Sequence, residues 1–431
     1  MAKKIKIGLL GCGTVGSGVL KVLHENYHDI QAKIGNDIEI SKVLVRNLNK
    51  KRDFLVNAVV TDNVDDILND KDIDIVVEVL GGIHPAREYM LKAMENGKHV
   101  VTANKDVLAQ HGKEMFETAA KYDVDFMFEA SVAGGIPIIT PLKQCLTANK
   151  ITELMGIVNG TTNYMLTKMT EEGMDYHTAL KQAQDKGYAE ADPTADVEGL
   201  DAARKAAILS SIAFNTRVSL SDVEVEGITK ITPEDITYAK ELGYIIKLLA
   251  IAKYTEDGIN VRVHPTFIDQ DHPLASVRNV FNAIFIHGNA VGDTMFYGKG
   301  AGERPTASAV LADIIDVARD MGKERFGRIR CTCYKEKQLC PPNKILSGYY
   351  VRLLVEDKSG VLGAIATAFG ESNVSLYSVI QKRRVGEFSE IVAITHNVNN
   401  NQIEDLKIRL NNLEVVNRIS SVIRVIMSQE V

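Results

Sequence analysis

The chain has 431 residues, 45% apolar and 25% charged, the balance of an ordinary globular protein, and its length predicts about three domains. With 50 Lys and Arg against 56 Asp and Glu, the net charge of −6 gives no broad basic field for nucleic acid, and the composition excludes disorder and collagen-like repeats. Charge-free apolar stretches such as 130–142 fall short of the roughly 18–20 residues that a spanning helix needs, so no membrane association is expected. Five scattered cysteines (Cys12, Cys145, Cys331, Cys333, Cys340) suit thiols in a reducing compartment, and basic residues run straight into a strand-like 5–10 with no signal-peptide pattern; a cytoplasmic location is expected.

From residue 3 to about 129, strand-length apolar runs at 5–10, 38–45, 73–80, 99–102 and 125–128 alternate with helical patterns at 15–27, 64–68, 86–96 and 107–122. This βαβ rhythm predicts an α/β class with a doubly wound, Rossmann-type parallel sheet covered on both faces. The stretch from about 130 to 302 predicts a mixed α+β substrate and dimerisation domain, with helices at 202–214 and 233–253 and a strand at 260–263. A helical period at 307–321 returns to the first sheet. Charges and Pro341-Pro342 then mark a connector, after which 349–356, 365–369, 375–382, 388–395, 402–410 and 418–426 read as β-α-β-β-α-β, with Gly386-Glu387 as a hairpin turn. The expected division is 1–130 (completed by a returning helix near 305–322), 131–304, a linker at 323–347, and a ferredoxin-like module at 348–431.

Gly11, Gly13 and Gly16 follow the first strand and open the first helix, the setting a dinucleotide-binding loop requires: a tight turn, close backbone approach to a pyrophosphate, and close helix packing. An acidic residue at the end of the second strand would hold a ribose hydroxyl. Here stands Arg46, with Lys50, Lys51 and Arg52 behind it, which favours the 2'-phosphate of NADP over NAD, although a solvated basic loop has the same composition. Thr102 and Lys105 lie at the carboxyl end of a strand, where ligands bind in open α/β sheets. Asp201 and Lys205 are four apart on a predicted helix, downstream of Glu190, Asp192 and Asp196; such a concentration of carboxylates suits an ammonium-bearing ligand, and its bland alternative is a surface ion pair. The segment 129–136 offers a carboxylate and backbone carbonyls to a hard cation. Cys331, Cys333 and Cys340 lack a fourth ligand at a zinc spacing.

In combination, GLLGCGTVGSG at 8–18, TANK at 102–105, EASVAGGIP at 129–137, NGTTNY at 159–164, GYAEADPTADVEGLDAARKAAIL at 187–209 and GKGAGERPTASAV at 298–310 resemble homoserine dehydrogenase, and VEDKSGVL at 355–362 resembles an ACT domain. The resemblance implies reversible NAD(P)H-dependent reduction of L-aspartate 4-semialdehyde to L-homoserine, on the way to threonine, methionine and isoleucine, in a homodimer or homotetramer. It implies Lys205 as the catalytic lysine, and Lys105 as the lysine near nicotinamide and the reacting oxygen. It places Glu190, Asp196, Asp201 and Gly187 at the substrate, and Leu10, Thr14, Val15 and Gly302 at the cofactor. Glu129, Val132, Gly134 and Ile136 become a monovalent cation site, taken as sodium. The ACT resemblance implies feedback by L-threonine, although Asp357-Lys358-Ser359-Gly360 lacks the proline usual in that turn. Two other readings compete: a thioester-forming semialdehyde dehydrogenase, which needs an activated cysteine, and a non-catalytic nucleotide and amino-acid sensor.

Overall fold

The structure is a computed structural model that describes residues 4–50, 52, 58–321 and 331–427. In chain order the elements begin β1 (Ile5–Leu10), α1 (Thr14–Glu25), α2 (Tyr27–Ile34), β2 (Ile38–Leu44), β3 (Val59–Thr61), α3 (Asp65–Leu68), β4 (Ile75–Glu78), α4 (Ala86–Glu95), β5 (His99–Thr102), α5 (Lys105–Lys121) and β6 (Phe126–Met127). They continue with β7 (Ile151–Ile157), α6 (Gly160–Glu172), α7 (Tyr176–Asp185), α8 (Thr194–Val197), α9 (Leu200–Ala213), β8 (Glu224–Val225), α10 (Pro233–Glu241), β9 (Tyr244–Thr255), β10 (Gly258–Asp269), β11 (Phe281–Gly288), β12 (Gly292–Lys299) and α11 (Glu303–Asp320). The last are β13 (Leu346–Glu356), α12 (Val361–Glu371), β14 (Leu376–Val385), β15 (Phe388–Thr395), β16 (Val398–Asn399), α13 (Asn400–Asn411) and β17 (Val416–Val425). Two compact units share the chain: one holds residues up to Leu154 with Arg204–Val223 and Phe281–Glu336, the other Met155–Ala203, Glu224–Val280 and everything from Lys337.

In the first unit a six-stranded parallel sheet has the order β3-β2-β1-β4-β5-β6. Its central strands β4 and β5 are short runs buried on both faces, as parallel sheets require; β1 pairs with β2 from Ile5↔Ile38 and with β4 from Ile7↔Ile75. The chain leaves β1 towards β2 and later returns on the other side at β4, which makes the carboxyl ends of β1 and β4 the topological switch point. Helix α11 joins this unit from far along the chain: Ala307, Val310 and Ile314 share a core with Ile7, Leu9, Val19 and Val77. Strand β3, three residues long, is too short to stand out in the sequence, and the hairpin of β11 and β12 (Phe281↔Lys299) lies outside the sequence expectation.

In the second unit, the helix expected over 233–253 ends at Glu241, and Tyr244–Thr255 is strand β9, paired antiparallel with β10 along its whole length. Gly243, at φ 81°, breaks the helix, and the run Ile246–Ala252 is buried on both faces, Lys247 included, so a helical period read through it has no amphipathic meaning. The βαββαβ module is formed by β13, α12, β14, β15, α13 and β17 around Tyr349, Val351, Phe369, Ile391 and Leu406. Its strand β17 pairs with β13 on one side and, in parallel, with β10 on the other through Thr266↔Arg424 and Phe267↔Val425. Beneath this junction lies a buried ionic cluster. Arg352 donates to Asp235 (3.0 Å), Glu390 (2.8 Å) and the Thr232 hydroxyl (3.0 Å), while the hydroxyls of Tyr350 and Tyr238 donate to Asp235 (3.2 Å) and Glu390 (3.0 Å). Asp235 also closes the capping box of α10 with Thr232. No helix among the described residues is long and apolar enough to cross a membrane.

Candidate active site

The carboxyl end of β1 gives way to Gly11 at φ 108°, where a Cβ would stand 3.0 Å from the Val79 carbonyl oxygen. At Gly16 a Cβ would sit 2.2 Å from the Gly11 carbonyl oxygen, so only glycine lets α1 approach the loop so closely; at Gly13 nothing lies within 4 Å. That open position stands at the N-terminus of α1, which no side chain caps, so the helix end and its dipole suit a pyrophosphate. Leu10 is buried beneath the loop, Val15 half-buried and Thr14 exposed. Gly302, at φ 126°, caps α11, whose next residue, Glu303, places its carbonyl oxygen 2.5 Å from where a Cβ on Gly18 would be. Lys21–Glu303 (2.5 Å) and Glu25–Arg304 (2.6 Å) ion pairs hold α11 along α1. These features fit a dinucleotide.

Arg46 is exposed beyond β2, whereas Arg52 spends its guanidinium on the Asn47 and Lys50 carbonyls (2.8 to 3.1 Å); Arg52 is therefore a loop clip rather than a phosphate ligand, and Lys51 lies outside the described residues. Thr102 is fully buried and donates to Glu78 (2.6 Å), which also accepts from the Leu80 and Gly81 N–H groups (2.7 and 3.3 Å). Burial pushes the Glu78 carboxyl up. The Thr102 hydroxyl is thus engaged within the protein and has only its main chain to offer a ligand. Glu78 was not singled out from the sequence; its signal is an acid ending the otherwise apolar strand IVVE.

Asn104 caps α5 by accepting from the Val107 N–H (3.2 Å), which makes Lys105 the first residue of that helix. The next residue, Asp106, forms an ion pair with Arg204 on α9 (2.9 Å), and the residue after Arg204 is Lys205. That ion pair ties the start of α5 to α9 at the residues next to the two lysines, each of which is half-buried.

Asp196 and Asp201 are joined by Asn159. Its Nδ2 donates to Asp196 Oδ1 (2.6 Å) and Asp201 Oδ2 (2.9 Å), while its Oδ1 accepts from the Thr162 N–H (2.9 Å) and hydroxyl (2.8 Å) at the start of α6. The cap fixes which face of the amide points at the carboxylates. Asn159 opens the NGTTNY segment, and its sequence signal is an Asn-Gly at a strand-to-helix junction. Gly187, at φ 71°, turns the chain out of α7, and Gln184 donates to the Glu190 carbonyl (3.1 Å) while the Glu190 side chain stays exposed. Glu190 does not join the hydrogen-bonded pair. Asp192 is occupied in capping Thr194 (3.1 Å), and those bonds hold its carboxyl below the usual range.

The segment 129–136 corrects one expectation. The Glu129 carboxylate accepts from the N–H groups of Ile138 (2.6 Å), Ile139 (2.8 Å) and Thr140 (2.7 Å), so it is committed to the backbone and a cation here would be held by main-chain carbonyls. Val132 and Ile136 are buried. Ala133 and Gly134 have φ of 54° and 36°, and Gly134 lies so close to Gly300 that a Cβ would meet its carbonyl oxygen at 2.6 Å. The Glu129 N–H donates to Asp313 (2.8 Å), whose carboxyl is pushed well up by burial and by Glu129. Among the described residues no three His, Cys, Asp or Glu side chains are grouped to hold a metal.

Comparison with known proteins gives a consistent picture. Residues 137–315 match the family described as homoserine dehydrogenase, residues 11–129 its NAD-binding domain, and residues 349–415 the ACT domain. The chain is 45% identical over 426 residues to the homoserine dehydrogenase of Bacillus subtilis, covering 98% of each. It superposes on the crystal structure of a homoserine dehydrogenase from Thiobacillus denitrificans with a TM-score of 0.94 at 42% identity, over 99% of both chains. A hyperthermophilic archaeal homoserine dehydrogenase in complex with NADPH is similar over 75% of this chain and all of that one, with a TM-score of 0.63 and 27% identity.

Proposed function

The chain belongs to the homoserine dehydrogenase family, and we propose that it interconverts L-aspartate 4-semialdehyde and L-homoserine with Lys205 and Lys105 at the reacting oxygen and Asp196 and Asp201 at the substrate ammonium. It is an NAD(P)-dependent oxidoreductase of amino-acid biosynthesis. The observation that carries the assignment of roles is the aspartate pair oriented by Asn159, one member of which lies a single helical turn before Lys205. Two carboxylates bind an ammonium group through charge-assisted hydrogen bonds. Glu190 and Gly187 belong to the same segment and complete the substrate loop. When bound, the nicotinamide exchanges hydride with the carbon of the aldehyde or alcohol. Lys205 gives the oxygen its proton in reduction and takes it in oxidation, and Lys105 stabilises the negative charge that develops there. The test is the ultraviolet absorbance of reduced nicotinamide with L-homoserine at alkaline pH: formation supports the reading, and none with either cofactor sinks it.

Replacing Asn159 by alanine releases both aspartates, and KM for L-homoserine is expected to rise roughly 10- to 100-fold, the worth of a hydrogen bond to a charged group. Cofactor Kd should not change. An unaltered KM in steady-state assays removes Asn159 from the substrate site.

NADP is the favoured cofactor in this reading because Arg46 stands where an acidic residue would select the bare hydroxyl. Arg46→Asp is expected to lower kcat/KM for NADP roughly 10- to 100-fold and to leave NAD much less affected; equal losses with both overturn the role. Gly11, Gly13, Gly16, Leu10, Thr14, Val15, Thr102 and Gly302 form the rest of the cradle. A monovalent cation, taken as sodium, is assigned to main-chain carbonyls of Glu129, Val132, Gly134 and Ile136. The ACT module is assigned L-threonine as effector and the enzyme a dimeric or tetrameric state; turnover and light scattering that ignore added L-threonine count against the effector. Five unpaired thiols suit the cytoplasm.

A further inference from the structure

A cavity of about 90 Å³ in the first unit is lined by Phe116 of α5, Ile208 and Ile212 of α9, the basic side chains of Lys143 and Arg217, and both Cys331 and Cys333. The two helices are those that carry Lys105 and Lys205. The other cysteines stand elsewhere: Cys12 in the glycine loop, Cys145 exposed, and Cys340 buried against Pro341. Nothing in the dehydrogenase reading uses the pair.

We propose that Cys331 and Cys333 form a hydroperoxide-responsive thiol pair, with Cys331 as the attacking sulfur and Cys333 as the resolving one. Three features of the geometry support this. The Arg217 guanidinium lies 3.9 Å from Cys331 Sγ, and Lys143 lines the same cavity, so a thiolate has cations to face. The Tyr334 N–H donates to the Thr332 carbonyl (2.9 Å), which folds the chain at Cys333 and shortens the span between the two cysteines. The Cys333 thiol, 3.7 Å from the Ser211 carbonyl on α9, lines the same cavity as Cys331 two residues before it. A hydrogen bond from Cys333, with help from Arg217 and Lys143, brings Cys331 down to about 6, while the same bond and burial push Cys333 up. Both directions favour the thiolate on Cys331 over one on Cys333.

The chemistry balances with a hydroperoxide as oxidant. The Cys331 thiolate attacks one peroxide oxygen, the O–O bond breaks, and the departing hydroxide takes a proton from solvent; Cys331 becomes a sulfenic acid. Cys333 then attacks the Cys331 sulfur, the S–O bond breaks, and the hydroxide leaves as water with the Cys333 proton. The two sulfurs lose two electrons in all, and hydrogen peroxide becomes two waters.

The test treats the full chain with a slight excess of hydrogen peroxide and follows it by thiol titration and peptide mass mapping, a readout independent of turnover. The expected product has lost two titratable thiols and two hydrogens, carries a disulfide between residues 331 and 333, and returns to the reduced mass with dithiothreitol. In Cys333→Ser the reaction should stop at a sulfenic acid on Cys331 that dimedone traps, and in Cys331→Ser residue 333 should stay reduced. Oxidation of Cys12, Cys145 or Cys340 while 331 and 333 remain thiols overturns the proposal, as does dimedone labelling of Cys333 in the Cys331→Ser variant.

Discussion

Lys205→Met is expected to reduce turnover by about 10²- to 10⁴-fold, the usual contribution of a positioned general acid or base, with NADP and L-homoserine still bound. Methionine keeps the length and the helix propensity of lysine within α9 and removes only the ammonium. Binding by fluorescence titration and turnover by absorbance separate the two quantities. Lys105→Met should also lower turnover, and because Lys105 opens α5 just beyond the carboxyl end of β5, on the proposed cofactor side, it should weaken cofactor binding too. Full activity in Lys205→Met would dismiss the proton-transfer role. Equal loss of cofactor binding in both variants would assign the two lysines to a common structural task.

The second large effect lies in the buried cluster of the second unit. Arg352, Asp235 and Glu390 are 6% or less exposed, so removing the guanidinium leaves two buried carboxylates without a cation, held by tyrosine and threonine hydroxyls and the Thr232 N–H. Arg352→Met is expected to destabilise that unit by about 3–5 kcal/mol, as breaking one side of a buried ion pair does. Calorimetry or urea unfolding reads it. Arg352→Met with Glu390→Gln should recover part of the loss, since one uncompensated charge is gone. A single variant with unchanged stability would mean that water reaches the carboxylates.

Much of the fold was legible because its signals are local. Strands β1 and β5 are short, largely apolar runs; Gly11, Gly13 and Gly16 sit between a strand and a helix; and the βαββαβ module follows its element order closely. The stretch 233–253 failed because β9 is buried on both faces and so lacks the alternation that marks a strand with one face in water. Within the site, charged residues on one helix were readable from spacing. The partners that orient them were not: Asn159 reaches Asp201 across 42 positions, Asp106 reaches Arg204 from another helix, and no periodicity encodes such pairings. The Glu129 carboxylate was misjudged for a related reason, since it satisfies backbone N–H groups nine to eleven residues on, a demand visible only once the turn is built.

The placement of β17 bears on the order in which this polypeptide can be assembled. It is the last of the described strands in sequence, and yet it lies between β10 and β13, which are made much earlier. On a ribosome working from the N-terminus, β9 and β10 can pair as soon as they emerge, but β10 must wait with an open edge until residues 416–425 have been synthesised. Over that interval Thr266 and Phe267 present unpaired backbone groups, a template for pairing with another chain. A stop codon before residue 416 would make the wait permanent, so early termination in the C-terminal module threatens the solubility of the rest of the chain.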